Sequence, residues 1–222
     1  MESLDRHPPC TIIVGVSGDL LEVARQLGRQ GEQIGLLSRN TQLLYRYKEL
    51  LDECGVRCQA YAMDVTQAQS VLNTLMTLAA WSPRVDRMIY NISVLAAECD
   101  SEAGGSELAR MMEASFLGFV NCFQLLQPMF KRLGHGHALL MTEAMSPDGG
   151  PDAIASVGQA SLRIYLKALR NELIGQNISL TEVQLGRVRQ GETVRDLTCE
   201  EVVAGLFDAI RNRPTELTIG QR

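Results

Sequence analysis

Residues 11–31 read TIIVGVSGDLLEVARQLGRQG, and this stretch decides the fold. The β-branched run from Thr11 to Val16 favours a strand. Apolar residues from Leu20 onward then recur at helical spacing until Gly31, a residue suited to ending a helix. The stretch therefore predicts a strand, a glycine turn and a helix that packs back against the strand.

The same alternation of strand and helix continues to the end of the chain. Six further apolar runs predict strands at 33–37, 56–63, 87–92, 138–141, 178–185 and 216–219. Amphipathic patterns predict helices after residue 40 and at 66–80, 107–133, 155–174 and 200–212. Such an alternation forms a parallel sheet with right-handed crossovers. We therefore predict one α/β domain over residues 1–222, with a doubly wound parallel sheet of seven strands.

The third helix carries a more detailed prediction. Thr66 is expected to cap it, because a threonine hydroxyl can accept from the first unpaired N–H groups. Its buried stripe is expected to consist of Val71, Leu72, Leu75 and Met76.

Composition excludes several classes of function. The 222 residues are 45% hydrophobic and 21% charged, with a net charge of −5 and a pI near 5.3. This acidic balance argues against a nucleic-acid partner, which needs clustered Lys and Arg. The N-terminus has no apolar signal core, and no apolar run approaches the length of a membrane span. We therefore expect a cytoplasmic protein with no membrane partner.

The six cysteines do not form a metal-binding pattern. Cys54 and Cys58 have no second pair and no neighbouring histidine to complete a zinc site. We expect no metal, and we interpret the cysteines as buried free thiols in a reducing compartment.

Parallel sheets of this kind bind ligands at the carboxyl ends of their strands. The predicted strands therefore place the site at 15–19, 38–40, 64–66, 91–93, 142–145 and 185–187. His135 and His137 precede the fifth strand, so we expect them at the opposite end of the sheet, as surface residues.

Four segments carry a family resemblance. The first turn, Gly15 to Leu20, is a version of TGxxxGxG that is one residue tighter and has Leu20 at the last glycine. Asp64-Val65 follows the third strand, and Tyr90-Asn91-Ile92-Ser93 ends the fourth. The long helix after it carries Ser115, Gly118 and Pro128 at the spacing of a family Asn, Gly and Pro. In order and spacing the chain resembles the short-chain dehydrogenase/reductase family over nearly its whole length.

The resemblance implies a Rossmann-like fold and a nicotinamide cofactor. Arg39 stands where NADP-preferring relatives keep a base for the 2′-phosphate. The implied cofactor-binding residues are Gly15, Ser17, Gly18, Arg39, Asp64, Val65 and Asn91.

The catalytic residues that the resemblance implies are missing. Counting back from Glu172-Leu173 places the YxxxK motif on Ala155 and Gln159. Ser115 replaces the family's Asn, and Glu143 follows Thr142 where the catalytic Ser is expected. A methyl group and an amide cannot deliver a proton, and general acid–base help is worth roughly 10²–10⁴ in rate. We therefore predict loss of dehydrogenase activity.

Two questions remain open from the sequence. Gly15, Gly18 and Arg39 favour NADP(H) binding, whereas Asp19 can cap the same N–H groups that a phosphate needs, and Leu20 narrows the turn. The second question is the function. We expect an NADP(H)-sensing, binding or regulatory module, or the inactive partner of an active relative. The alternative is an atypical NAD(P)-dependent oxidoreductase or acid–base enzyme that uses Glu143 and Thr142.

Helices 107–133 and 155–174 resemble the pair that forms the family's dimer interface. Their apolar stripe can serve as core, as interface or as both; it comprises Met111, Met112, Phe116, Phe119, Phe123, Leu126, Leu162, Tyr165, Leu166 and Leu169. We expect a homodimer or higher oligomer through these helices, or a hetero-oligomer with an active relative. The segment 187–197 is short for the loop that covers substrate in this family.

Overall fold

The computed structural model describes residues 4–91, 109, 112–143, 153–190 and 193–220, with the backbone alone at 5, 153–159, 188–190 and 193–195. The strands of its main sheet are β1 (Cys10–Val14), β2 (Gln33–Ser38), β3 (Cys58–Ala62), β4 (Arg87–Tyr90), β5 (Gly136–Glu143), β6 (Ile178–Leu185) and β9 (Glu216–Ile219). They pair in parallel in the order β3-β2-β1-β4-β5-β6-β9. The predicted seven-stranded parallel sheet is confirmed.

Helices cover both faces of this sheet. They are α1 (Gly18–Arg29), α2 (Thr41–Glu53), α3 (Ala68–Trp81), α4 (Gly118–Leu133), α5 (Ala153–Glu172) and α6 (Cys199–Asn212). Buried residues of α3, α4 and α5 pack on one face, and those of α1, α2 and α6 on the other. This is the doubly wound arrangement that the sequence predicts.

The aromatic stripe of α4 forms the centre of the first core. Phe119 and Phe123 are fully buried, and their rings stack with centroids 5.6 Å apart. Tyr165 of α5 meets Phe116 edge-to-face at 5.4 Å. Of the described members of the predicted stripe, Phe116 and Tyr165 are half-buried and pack against the core, Met112 is half-buried, and the others are core residues; Met111 lies outside the described residues.

The predicted start of α3 is wrong. The helix begins at Ala68 after Gln67, which makes no side-chain capping bond. Thr66 instead donates its hydroxyl and its N–H to Asp64 Oδ1, over 2.8 and 3.0 Å. The nearer carboxylate competes successfully for the threonine, so Thr66 closes a turn rather than capping a helix.

Two smaller predictions also fail. Met76 is 65% exposed and Leu72 is half-buried, because the stripe of α3 that faces the sheet runs through Val71, Leu75 and Leu78.

The second concerns the cysteines. Cys10, Cys58 and Cys122 are buried free thiols as expected, but Cys54 and Cys199 are exposed; Cys99 lies outside the described residues. Both exposed cysteines lie at helix ends, where an apolar sequence context does not imply burial.

His137 is a correction to the expected surface histidines. It lies at the amino-terminal end of β5 as predicted, but it is fully buried, with Nε2 2.9 Å from Thr181 Oγ1. His135 is half-buried and lies 2.9 Å from Asp86. Position at one edge of a sheet does not determine exposure, because the end of α6 and the segment after it cover this edge.

Two local features have no counterpart in the prediction. Residues Glu113–Leu117 form a π-helical turn that leads directly into α4. Strands β7 (Val188–Gln190) and β8 (Thr193–Arg195) pair antiparallel as a separate ribbon, within the segment interpreted as a shortened loop. Among the described residues, no helix is long and apolar enough to cross a membrane.

Candidate functional site

A cleft of about 210 Å³ opens at the carboxyl ends of β1, β2 and β4. Gly15, Arg39, Val65 and Asn91 line this cleft, so four of the seven predicted cofactor-binding residues meet there. The other three, Ser17, Gly18 and Asp64, are chain neighbours of its lining. The sheet thus brings together residues that are 76 positions apart in the sequence.

The turn between β1 and α1 has the geometry of an anion site. Gly15 has a φ of 82°, a conformation that favours glycine, and its N–H donates to Leu37 O over 2.8 Å. Ser17 caps α1, with its Oγ accepting from Leu20 N–H at 3.4 Å. The N–H groups of Gly18 and Asp19 occupy the first turn, where no helical carbonyl can reach them. These two donors can serve a phosphate.

The expected cap by Asp19 is wrong, since Ser17 fills that role. The Asp19 carboxylate lies beside the Cys199 thiol at the start of α6. Burial raises the pKa of Cys199, and the hydrogen bond to Asp19 raises it further. Asp19 therefore contributes negative charge near the turn without blocking its N–H groups. Leu20 is fully buried against the sheet.

The segment after β2 is ordered by short-range hydrogen bonds. Asn40 caps α2, its Oδ1 accepting from Leu43 N–H at 3.0 Å, and Ser38 Oγ accepts from Asn40 N–H at 3.2 Å. Arg39 lies between these two residues, lines the cleft and is exposed. Its guanidinium is available to a ligand phosphate at the cleft rim.

Asp64 and Val65 border the cleft from β3. The Asp64 carboxylate accepts a hydrogen bond from Thr66 N–H, and the Asp64 N–H donates to Ser70 Oγ over 3.2 Å. Val65 is buried against the position of Gly118, where an added Cβ would lie 2.9 Å from Val65 Cβ and 2.4 Å from Tyr90 Oη. Only glycine fits there, which supports the register of the long helix.

The π-helical turn carries Ser115, the replacement for the family's asparagine. Tyr90 at the end of β4 donates its hydroxyl to Ala114 O over 2.6 Å. Burial raises the pKa of Tyr90 well above its ordinary value, so this phenol is a structural donor. Ser115 itself is half-buried. Turns of this kind are frequent at functional sites, because they redirect backbone groups.

The two positions predicted for the YxxxK motif, 155 and 159, lie on α5. The helix spans Ala153–Glu172 and therefore includes residues 155 and 159, whose side chains lie outside the described part of the chain. Tyr165, further along the helix, packs against Phe116 and Phe119. Burial raises its pKa, so it is a core residue rather than a substitute acid.

Thr142 and Glu143 lie on opposite faces of β5. Side chains alternate along a strand, and Thr142 shares its face with Leu140 of the α5-side core, whereas Glu143 follows Met141 toward α6. Glu143 is exposed. The two residues of the alternative enzymatic hypothesis therefore do not converge.

The sequence prediction missed two residues that form a hydrogen-bonded trio with Thr142. Thr142 Oγ1 donates to Glu182 Oε1 over 3.0 Å, and Arg163 Nε donates to the same oxygen over 2.8 Å. Glu182 lies in β6 and is 3% exposed. A carboxylate inside a predicted strand, ISLTEVQL, was the available signal, because buried charges are paired.

The described residues contain no group of three or more His, Cys, Asp or Glu side chains that could hold a metal ion. What the cleft offers instead is a glycine turn, two unpaired N–H groups and an exposed arginine. This set fits the adenosine and phosphate half of a dinucleotide.

Comparisons with known proteins agree with this geometry. The family model described as short chain dehydrogenase matches residues 10–200. The ketoacyl reductase HetN of Nostoc sp. is 21% identical, over 95% of this chain and 78% of its own length. An alcohol dehydrogenase from Thermococcus sibiricus, solved with 5-hydroxy-NADP, has a TM-score of 0.73 at 21% identity, covering 97% of this chain and 98% of its own. A short chain dehydrogenase/reductase from Burkholderia phymatum, solved with NAD, has a TM-score of 0.79 at 14% identity, covering 98% and 90%.

Proposed function

The chain belongs to the short chain dehydrogenase family, and we propose that it is a non-catalytic member that binds NADP(H) as a sensing or regulatory module. One observation carries this proposal: the helix that should hold a tyrosine and a lysine has Ala155 and Gln159 in their places. Without a phenol and an ammonium at these two positions, the proton delivery to a substrate oxygen that the family uses is absent.

The cleft supports the binding part of the proposal. Two unpaired N–H groups begin α1, and the helix dipole favours an anion at that end. Arg39 adds a positive charge at the rim, where it would hold a 2′-phosphate through charge-assisted hydrogen bonds. The bound cofactor would supply a nicotinamide ring, and these residues would bind and orient its other half.

Arg39→Ala is expected to weaken NADPH binding at least tenfold while leaving NADH binding within about twofold, because only NADPH carries the 2′-phosphate. Titration of the purified protein with each cofactor, followed by nicotinamide fluorescence, measures both dissociation constants. Arg46→Ala is the control, since Arg46 is an exposed arginine of the neighbouring helix α2. Equal losses for NADPH and NADH would contradict the assigned role of Arg39, and absence of NADPH binding by the wild type would contradict the proposal.

The alternative is an atypical NAD(P)-dependent oxidoreductase or acid–base enzyme that uses Glu143 and Thr142. It is tested by turnover of a carbonyl panel with NADPH and NADH, in the wild type and in Glu143→Gln. We expect no turnover above the uncatalysed rate in either protein. Activity in the wild type that Glu143→Gln abolishes would establish the alternative and refute the non-catalytic assignment.

We also propose that the long helices α4 and α5 form an interface, either with a second copy or with an active relative. Leu117, just before α4, is 46% exposed, and Ile164 of α5 is 73% exposed. Both are large apolar side chains on the outward side of a helix pair whose inward stripe is already core.

Ile164→Glu is expected to convert the assembly to monomers, because a buried carboxylate without a partner is costly. Light scattering after size exclusion measures the mass. Met76→Glu provides the comparison, since Met76 is equally exposed but belongs to α3. If both variants keep the mass of the wild type, this helix pair is not the interface.

A further inference from the structure

A buried polar trio lies beneath the carboxyl end of β5, formed by Thr142, Glu182 and Arg163. Both donors, Thr142 Oγ1 and Arg163 Nε, converge on Glu182 Oε1. Glu182 is almost wholly buried, Arg163 is partly exposed, and Thr142 is half-buried at the edge of the sheet where ligands bind. The proposed function uses none of these three side chains.

The direction of each hydrogen bond follows from the chemistry of the groups. A guanidinium can only donate, and a carboxylate can only accept. Because Glu182 forms an ion pair with Arg163, its oxygen accepts the single hydroxyl hydrogen of Thr142. The two lone pairs of Thr142 Oγ1 can then only accept hydrogen bonds, including one from a molecule that approaches the edge of the sheet.

We propose that Glu182 fixes Thr142 as a hydrogen-bond acceptor, so that the carboxyl end of β5 selects ligands with a hydroxyl or N–H group over ligands with a carbonyl oxygen. A carbonyl placed against Thr142 would bring two acceptors together and leave both unpaired. The inference rests on the proposed function in one respect: a ligand must reach the carboxyl end of β5.

Removing the acceptor changes this polarity. In Glu182→Leu no carboxylate oxygen accepts from Thr142 Oγ1. Thr142 then no longer gives its hydrogen to β6 and can donate it to a ligand. Glu182 is thus a positioning residue, which acts on the ligand through Thr142.

The test compares two probes of nearly equal shape, cyclohexanol and cyclohexanone, by ligand-observed NMR titration. We expect the wild type to bind the alcohol about tenfold more tightly than the ketone, the effect of about one hydrogen bond. Glu182→Leu should lose this preference, because the freed Thr142 hydroxyl can both donate and accept, and Thr142→Val should show no preference. Glu216→Gln is the control, because Glu216 is an exposed carboxylate of β9 that contacts Gln184 rather than the trio.

The same preference in the wild type and in Glu182→Leu would overturn the inference, and so would failure of the wild type to bind either probe. If Glu182→Leu does not fold, as thermal unfolding would reveal, the wild type and Thr142→Val still decide the matter: an unchanged preference for the alcohol without the hydroxyl overturns it. The NADPH titration is a separate measurement, so failure of this inference and failure of the proposed function are distinguishable.

Discussion

Glu32→Ala is expected to lower the free energy of unfolding by about 3 kcal/mol, because it leaves a buried arginine without its carboxylate. Arg87 of β4 donates from Nη1 to Glu32 Oε2 over 3.0 Å and to Thr11 Oγ1 over 2.8 Å. Thr11 in turn donates its hydroxyl to Glu32 over 2.6 Å. The side chains of Arg87 and Glu32 are only 11% and 13% exposed, so water cannot replace the lost acceptor.

Urea unfolding of the wild type and the variant measures this loss. Glu22→Ala is the matched control, because Glu22 pairs with Arg25 on the exposed side of α1. A surface ion pair contributes about 0–1 kcal/mol, so the control should lose little stability. The double variant Glu32→Ala with Arg87→Met should regain part of the loss, since it no longer buries an unpaired charge. If Glu32→Ala lowered the free energy of unfolding no more than Glu22→Ala does, the buried pair would stabilise the fold no more than a surface pair.

The course of the chain could be predicted because each strand and each helix has its own hydrophobic period. Strands β6 and β9 have the predicted bounds, and β2 extends by one residue. The right-handed crossover rule predicted a parallel sheet, and the order of its strands is known from the structure alone. Four of the predicted cofactor-binding residues line the cleft at the carboxyl edge of the sheet.

Polar details could not be predicted in the same way, because they depend on which of several neighbouring groups wins a hydrogen bond. Ser17 rather than Asp19 caps α1, since the extended backbone of Ser17 puts its oxygen within reach of Leu20 N–H. Thr66 is drawn to Asp64 for a similar reason. The sequence shows which side chains could form the capping hydrogen bond, but the backbone angles determine which of them does.

The burial of polar residues could not be predicted for a different reason. Arg87, His137 and Glu182 each lie in a strand, and a strand pattern of alternating faces does not reveal whether a helix covers the polar position. Each of these residues finds its partner across a strand or a helix, such as Thr181 for His137 and Arg163 for Glu182. Such partners are 44 or 19 positions away, beyond the reach of local pattern analysis.

The pairing of Glu182 also bears on the choice between the two functions. An oxidoreductase that used Thr142 as a donor would need its hydroxyl hydrogen, which Glu182 accepts here. A binding module has no such need. The trio therefore agrees with the non-catalytic function that we propose.

The wild type is expected to lose stability steeply as the pH falls from about 6.5 to about 4.5, and His137 is the cause. Burial, together with the positive charges of Arg87 and Arg213, lowers the pKa of His137 from 6.5 to about 3. Thr181 donates its own hydroxyl hydrogen to Pro214 O, so it accepts from His137 Nε2. His137 Nδ1 is then a buried lone pair, with no hydrogen-bond partner in the part of the chain that the structure describes.

The sign follows from proton linkage. The unfolded histidine binds a proton near pH 6.5, whereas the folded one does not until about pH 3. The stability is therefore complete above the unfolded pKa and falls as the pH drops through this window. Two pH units correspond to about 2–3 kcal/mol, because one unit is about 1.4 kcal/mol.

His137→Gln isolates this effect, because its side-chain amide can still donate to Thr181 without binding a proton. Urea unfolding at pH 7.0, 6.0, 5.0 and 4.5 gives the free energy of the wild type and of the variant. Across this series, the free energy of unfolding of the wild type should fall by about 2–3 kcal/mol more than that of His137→Gln. His7→Gln is the control, since His7 is half-buried near the N-terminus, and it should run parallel to the wild type. A difference between wild type and His137→Gln that stays constant with pH would mean that this histidine takes up a proton equally well in both states.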